Sequence, residues 1–99
     1  MTRKLIRIRS EAQEEIVAAF DWYFKRSHEA AGAFLREVGN SMKQIVSGPQ
    51  QYPSFTKRTR RLLMKRFPYA VIFQEKEEVI FVVAISHAKR RPGYWAGRL

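Results

Sequence analysis

The sequence has no cysteine, which excludes disulfide cross-links, thiolate metal sites and a cysteine nucleophile. It is poor in acid, with nine Asp and Glu against nineteen Lys and Arg, leaving a formal charge of +10. It has two histidines, His28 and His87, and they are far apart in sequence and accompanied by no Asp cluster, so neither a metal site nor a cofactor is expected. The longest apolar run, Val79 to Ile85, has seven residues where a membrane-spanning helix needs about 20, so no membrane role is expected. The opening MTRKLIRIRS carries charges where a secretory signal needs an apolar stretch. Together with the missing cysteines, this points to the cytoplasm. No internal repeat or low-complexity linker interrupts the 99 residues, and a chain of this length supports one core, so residues 1–99 are expected to form one domain.

What is present is globular composition, 45% hydrophobic and 28% charged, which excludes disorder. The charge is segregated along the chain. Residues 10–48 hold six acids and four bases, a net of −2, so the remainder carries +12. Residues 57–66 (KRTRRLLMKR) contain six bases and no acid, and residues 89–98 contain four more bases and no acid. Such a field favours polyanions, because every phosphate neutralised releases counterions whatever the base sequence. Nucleic acid is the leading partner class on this ground. A solvated basic surface or an acidic protein partner accounts for the same charge.

Lys4 to Arg9 alternates with a period of two and reads as a short strand with Ile6 and Ile8 inward. Ser10 followed by Gln13 forms a capping-box pattern, and Glu11, Glu14 and Glu15 lie in the first turn, where the helix dipole favours anions. The apolar stripe of the first helix runs Ala12, Ile16, Ala19, Phe20, Tyr23, Phe24, and Lys25 and Arg26 close it. A second helix begins at Ser27 or His28, carries Ala31, Phe34, Leu35, Val38, Met42, Ile45 and Val46 at helical spacing, and ends at Gly48-Pro49. Arg58 to Arg66, Tyr69 to Glu75 and Val79 to Ser86 then read as strands, with turns at Phe67-Pro68 and Lys76-Glu77. The order β-α-α-β-β-β gives an α+β fold, an antiparallel sheet with a helical hairpin packed on one face. Pro92 and Gly93 suggest that the last residues form a short tail or turn.

Alternation along the basic strand sends Arg58, Arg60, Leu62, Met64 and Arg66 one way and Thr59, Arg61, Leu63 and Lys65 the other, the second set being the more polar. His87 follows the last strand, and Lys89, Arg90, Arg91, Tyr94, Trp95 and Arg98 follow it. Guanidinium groups, an imidazole and two aromatics are what a groove needs to neutralise phosphate and stack bases. Metal-free RNA cleavage needs a base for the 2′-hydroxyl, cations for the phosphate and an acid for the leaving oxygen. His87 suits acid or base, and Arg61, Lys65 and Arg90 suit the cations; equally, a histidine at a strand end serves as a structural hydrogen-bonding residue. Arg58, Arg60, Arg66, Lys89, Arg91, Trp95 and Arg98 are the accompanying nucleic-acid-binding candidates. His28 reads as a capping or surface residue, Tyr23, Phe24 and Phe34 as core, and an exposed Trp22 would mark a binding face. All of this requires the cationic side chains to converge on one concave surface opposite the helices.

The chain resembles toxins of the RelE/ParE superfamily from bacterial type II toxin–antitoxin modules. The features that carry the resemblance are the N-terminal strand, the helical hairpin ending in a proline with Tyr52-Pro53 beyond, the basic strand leading to Phe67-Pro68-Tyr69, and Ala84-Ile85-Ser86-His87-Ala88-Lys89-Arg90-Arg91-Pro92 running into Tyr94-Trp95 and Arg98. The resemblance implies a toxin held inactive by a cognate antitoxin. RelE-like members cut mRNA on the ribosome without a metal, which is the leading expectation here, and by position Arg61, Lys65, His87, Arg90 and Tyr94 would carry that chemistry. Some relatives add a sheet glutamate as base, whereas here the late acids are Glu75, Glu77 and Glu78 at a hairpin tip. ParE-like members instead poison DNA gyrase without cutting RNA, and the Ile-x-His-x-x-Arg stretch at Ile85 to Arg90 occurs among them too. A non-catalytic nucleic-acid-binding module is the third reading.

Overall fold

The computed structural model describes residues 4–56 and 58–99; residues 1–3 and Lys57, all within basic stretches, lie outside the description. The elements are β1 (Leu5–Ile8), α1 (Ser10–Phe24), α2 (His28–Ser47), β2 (Arg60–Leu63), β3 (Tyr69–Lys76) and β4 (Val79–His87), with one-turn 3-10 helices at Pro49–Gln51 and Ala96–Arg98. The expected order and α+β class hold, with the strands lying β1-β4-β3-β2 across one sheet. The sheet is mixed rather than wholly antiparallel: β2, β3 and β4 form an antiparallel meander, while β1 runs parallel to β4. Parallel neighbours need a crossover connection, and the helical hairpin is part of it.

Local signals set the helix boundaries with one exception. Ser27 caps α2, its hydroxyl accepting from the amide of Ala30 at 3.1 Å. Ser10 does not cap α1. The extended residue Arg9 occupies that place, because its amide still donates to the carbonyl of Val82 at 3.0 Å and the chain leaves the sheet directly into the helix. The amide of Gln13 then donates to the carbonyl of Arg9 at 2.9 Å. Ile6 packs against the core, but Ile8, on the edge strand, stays partly exposed rather than inward. His28 is a surface residue rather than the cap, and its ring stacks on Phe24 at 3.9 Å. Phe24, Leu35 and Trp22 are all substantially exposed, and the Arg26 guanidinium lies 3.7 Å over the Trp22 ring.

Two apolar clusters sandwich the sheet. The larger lies between helices and sheet and joins Ala12, Ile16 and Ala19 of α1 to Phe34, Val38 and Ile45 of α2, and to Leu62, Val71, Phe73, Ile80, Val82 and Ile85. Phe34 is its centre, in aromatic contact with Tyr23, Phe67 and Tyr69 at 5.4 to 5.5 Å. The smaller cluster joins Ala70, Ile72, Val83, Ala84 and Trp95, with Phe55 and Tyr94 against it. A β-bulge links the two: Ile72 pairs with Ala84 and Phe73 with Val82, so Val83 is an extra residue. Past it the alternation of β4 is reset, which returns Ile85 to the larger cluster.

The final residues form the turn that Pro92 and Gly93 suggest, followed by the one-turn 3-10 helix at Ala96–Arg98. Gly93 turns the chain with φ +78, a left-handed value that glycine adopts without strain, and Trp95 comes to rest at 1% exposure over the second face of the sheet. Removing the central ring with Phe34→Ala is expected to lower unfolding free energy by about 3–5 kcal/mol in urea denaturation, whereas Trp22→Ala should stay within about 0.5 kcal/mol.

Candidate functional site

The groove on the sheet face opposite the helices has a volume of about 330 Å³. It forms where β2, the end of β4 and the C-terminal turn approach one another, and Ala70, Ile72 and Trp95 are among the apolar residues that line it. Three of the expected catalytic residues meet there: Arg61, His87 and Arg90. Both arginines rest on aromatic rings. The Arg61 guanidinium sits 4.3 Å over Phe55, and that of Arg90 sits 3.8 Å over Tyr94. The rings are held in turn, Phe55 against Trp95 at 6.0 Å and Tyr94 by a hydrogen bond described below.

His87 stands at the rim, edge-on to Tyr69 at 4.9 Å. Its Nδ1 accepts from the amide of Lys89 at 3.0 Å. A backbone amide only donates, so Nδ1 carries the lone pair and the neutral ring bears its proton on Nε2. In that tautomer Nε2 is a hydrogen-bond donor and not a base. Among the described residues no carboxylate lines the groove, and Glu75, Glu77 and Glu78 belong to the far hairpin between β3 and β4. Arg61 and Arg90 are the two guanidinium groups in its lining.

The remaining candidates lie elsewhere. Tyr94 turns its hydroxyl away to donate to Oε2 of Glu15 at 2.6 Å. Burial first, and then this bond to a carboxylate, push the phenol up to about 12. Arg98 is spent on the same carboxylate through both terminal nitrogens, at 3.1 and 3.0 Å, and on the carbonyl of Val83 at 3.0 Å. Trp95 is buried and offers no face to a base. Arg60 donates to the carbonyl of Tyr52 at 2.7 Å, on the opposite side of β2 from Arg61. Arg58 has φ 60 and borders a hollow with Gln74, Lys76 and Leu99. Lys89 and Arg91 are exposed beside the groove without lining it.

Lys65 does not share the Arg61 face. β2 stops at Leu63, and the chain then bends so that the amides of Lys65 and Arg66 donate to Oε2 of Glu37 on α2 at 2.6 and 3.2 Å. Strand alternation fails once the strand ends, and Lys65 and Arg66 border the helix side instead. The cations therefore converge only in part, with Arg61 and Arg90 in the groove and the rest distributed around the sheet.

Two residues that matter here, Phe55 and Glu15, carry no site signal in the sequence. Phe55, in the loop before β2, has no periodic neighbours to mark it. Glu15 looked like an ordinary first-turn acid, yet it lies three residues after Ala12 and four before Ala19, which is the spacing of the buried stripe itself. Among the described residues no cluster of three or more His, Cys, Asp or Glu side chains is placed to hold a metal ion, and no helix is long and apolar enough to cross a membrane.

Residues 6–92 match the family model described as ParE toxin of type II toxin-antitoxin system, parDE. Toxin ParE2 of Mycobacterium tuberculosis, found in two strains, is 23% identical over 93 residues, covering 93% of this chain and 88% of that protein. A solved structure described as the chromosomal ParDE TA system from P. aeruginosa superposes with a TM-score of 0.78 at 20% identity, covering 88% of this chain and 98% of that one.

The anchoring of Tyr94 is measurable. In an alkaline ultraviolet titration of the four tyrosines, one is expected to ionise near pH 12, and Tyr94→Phe should remove that step. The sign follows from linkage: the folded phenol holds its proton above the unfolded value of about 10, so its stabilisation is complete below pH 10 and is lost between about 10 and 12. Tyr94→Phe should flatten the fall in stability across that window.

Proposed function

Because this chain belongs to the ParE toxin family of type II toxin–antitoxin systems, we propose that it arrests growth by binding its target rather than by cutting RNA, and that the target is DNA gyrase. That it is the toxin of such a module, and that a cognate antitoxin is its partner, follows from the family. The observation that carries the non-nuclease reading is the state of Tyr94. Its hydroxyl is tied to Glu15, with a phenol pushed up to about 12, so it neither faces the groove nor releases a proton near neutral pH. His87 presents a donor, and no carboxylate lines the groove to take its place as base. Two guanidinium groups immobilised on aromatic rings suit recognition of an anionic or carbonyl-rich surface, because their orientation is fixed before binding. The cytoplasm is where a gyrase inhibitor would act.

The second reading, ribosome-dependent cleavage of mRNA, is favoured by the meeting of Arg61, Arg90 and His87 in one groove large enough for a nucleotide. Lys65 would have no part in it from its position beside α2. A non-catalytic nucleic-acid-binding module would use the same groove.

The readings separate in two assays run side by side. Purified toxin is expected to inhibit gyrase supercoiling and to accumulate cleaved DNA, while mRNA in a translating extract stays intact. Arg61→Ala combined with Arg90→Ala should reduce potency about tenfold or more with the fold unchanged by circular dichroism. Codon-phased mRNA cuts with unimpaired supercoiling would reverse the proposal.

A further inference from the structure

We propose that the hairpin half of the open sheet face, away from the groove, is a binding site for a single-stranded nucleic acid, held by its phosphates and by one hydrogen-bond donor on a base or sugar. The inference does not depend on gyrase being the target.

Strand register builds the surface. Residues paired across the ladders share a face, so Arg7 of β1, Phe81 of β4 and Gln74 of β3 form one row, and Leu5, Val79 and Lys76 form the next. Ile6, Phe73, Ile80 and Val82, which alternate with them, pack toward the helices, and this leaves the two rows on the opposite side. Arg9 joins them, its guanidinium 5.0 Å over the Phe81 ring. Arg58, Gln74, Lys76 and Leu99 line a hollow of about 280 Å³ beside these rows.

Three local costs meet on this surface. Gln74 is 7% exposed, and its buried Oε1 has no hydrogen-bond partner. Nε of Arg9 is also buried and without a partner. A buried polar atom left unpaired forfeits the hydrogen bonds that water gave it, so an apolar side chain would be the more stable choice at either place. Arg58 has φ 60, a left-handed value at which a residue with a β-carbon is strained. Costs of this kind concentrate where a ligand satisfies the groups that bear them.

The charge is uncompensated too. Neither of the ion pairs found among the described residues takes in Arg7, Arg9, Arg58 or Lys76. Among the described residues no Asp or Glu side chain lines the hollow, and Glu75, on the other face of β3, is paired with Lys4 at 2.7 Å. Glu77 and Glu78 sit at the exposed turn beyond the hollow.

This layout selects the ligand. Arg7 lies two strand spacings from Gln74, about 10 Å across the sheet, so cations flank a half-exposed ring and a buried acceptor. A nucleic-acid strand alternates phosphate with base in the same way. Its phosphates would answer Arg7, Arg58 and Lys76, a base would stack on the Arg9 guanidinium, and a base N–H or a 2′-hydroxyl would donate to Gln74. The carboxylates of an acidic peptide would answer the cations but bring no ring to stack. A duplex keeps its bases paired inside.

The test uses the full chain with short fluorescein-labelled oligonucleotides of mixed sequence, one of RNA and one of DNA, reading affinity by anisotropy and position by photo-cross-linking through 5-iodouracil. Both strands are expected to bind, to cross-link at Phe81, and to weaken with salt at a log–log slope of about −0.7 for each phosphate contacted. Arg7→Glu combined with Lys76→Glu, both at exposed positions, should weaken binding about tenfold or more with circular dichroism unchanged. Gln74→Leu and Arg58→Gly, which remove the unpaired acceptor and the strained residue, should each weaken it about threefold or more while the thermal midpoint stays level or rises. A preference for RNA that Gln74→Leu erases assigns the donor to the 2′-hydroxyl, and equal affinities that Gln74→Leu lowers together assign it to a base. Affinity within about twofold of the unmodified chain in the charge-reversed variant, or cross-links confined to the groove, would overturn the proposal. So would displacement of both oligonucleotides by a glutamate-rich peptide that binds more tightly. Because the toxin alone is assayed for binding, a negative supercoiling result leaves this one unaffected.

Discussion

The carboxylate of Glu15 stands where a strand is missing. β1 covers β4 only as far as Val82, and beyond it the edge of β4 would face water with unpaired backbone groups. Glu15 accepts from the amide of Ile85 at 2.9 Å, and Arg98 donates to the carbonyl of Val83 at 3.0 Å. The two side chains, joined as an ion pair at 3.0 Å, supply the acceptor and donor that a neighbouring strand would have supplied. Bidentate geometry and limited exposure make this pair stronger than a surface salt bridge, since both charges have hydrogen-bond partners that replace water. The pair also ties α1, β4 and the chain end together, so the bulge at Val83 and the seat of Trp95 are set with it.

From that clasp the groove follows. Tyr94 is fixed by its bond to Glu15, and Arg90 lies on the Tyr94 ring; Trp95, one residue on, supports Phe55, on which Arg61 lies. Both groove arginines are thus positioned by aromatic rings that the C-terminal turn holds. Fixing a guanidinium in this way removes rotamer entropy that binding would otherwise have to overcome. Tyr94 itself, its hydroxyl held by Glu15 and its phenol pushed up to about 12, is turned away from the groove.

Two concavities hold five of the nineteen bases. One, on the open sheet face, presents Arg61 and Arg90 over an apolar floor; the other, beside α2, presents Arg36, Lys65 and Arg66. β2 lies between them and contributes to both.

The sequence by itself determined what depends on near neighbours. Helical spacing located both helices, Ser27 and Gly48-Pro49 bounded the second, and β-branched runs marked β3 and β4, because each of these signals is complete within a few residues. The charge segregation and the order of the elements were legible for the same reason, and with them the family resemblance. Only the tertiary structure decided the parallel pairing of β1, the reset of β4 at Val83, the burial of Trp95 and the division of the cations. Glu15 and Arg98 meet across 83 positions, and Lys65 reaches Glu37 across 28. Contacts at such separations leave no periodic trace in a local stretch of sequence, since whether a basic or acidic side chain meets solvent, substrate or another part of the chain depends on which edge of the sheet is left uncovered.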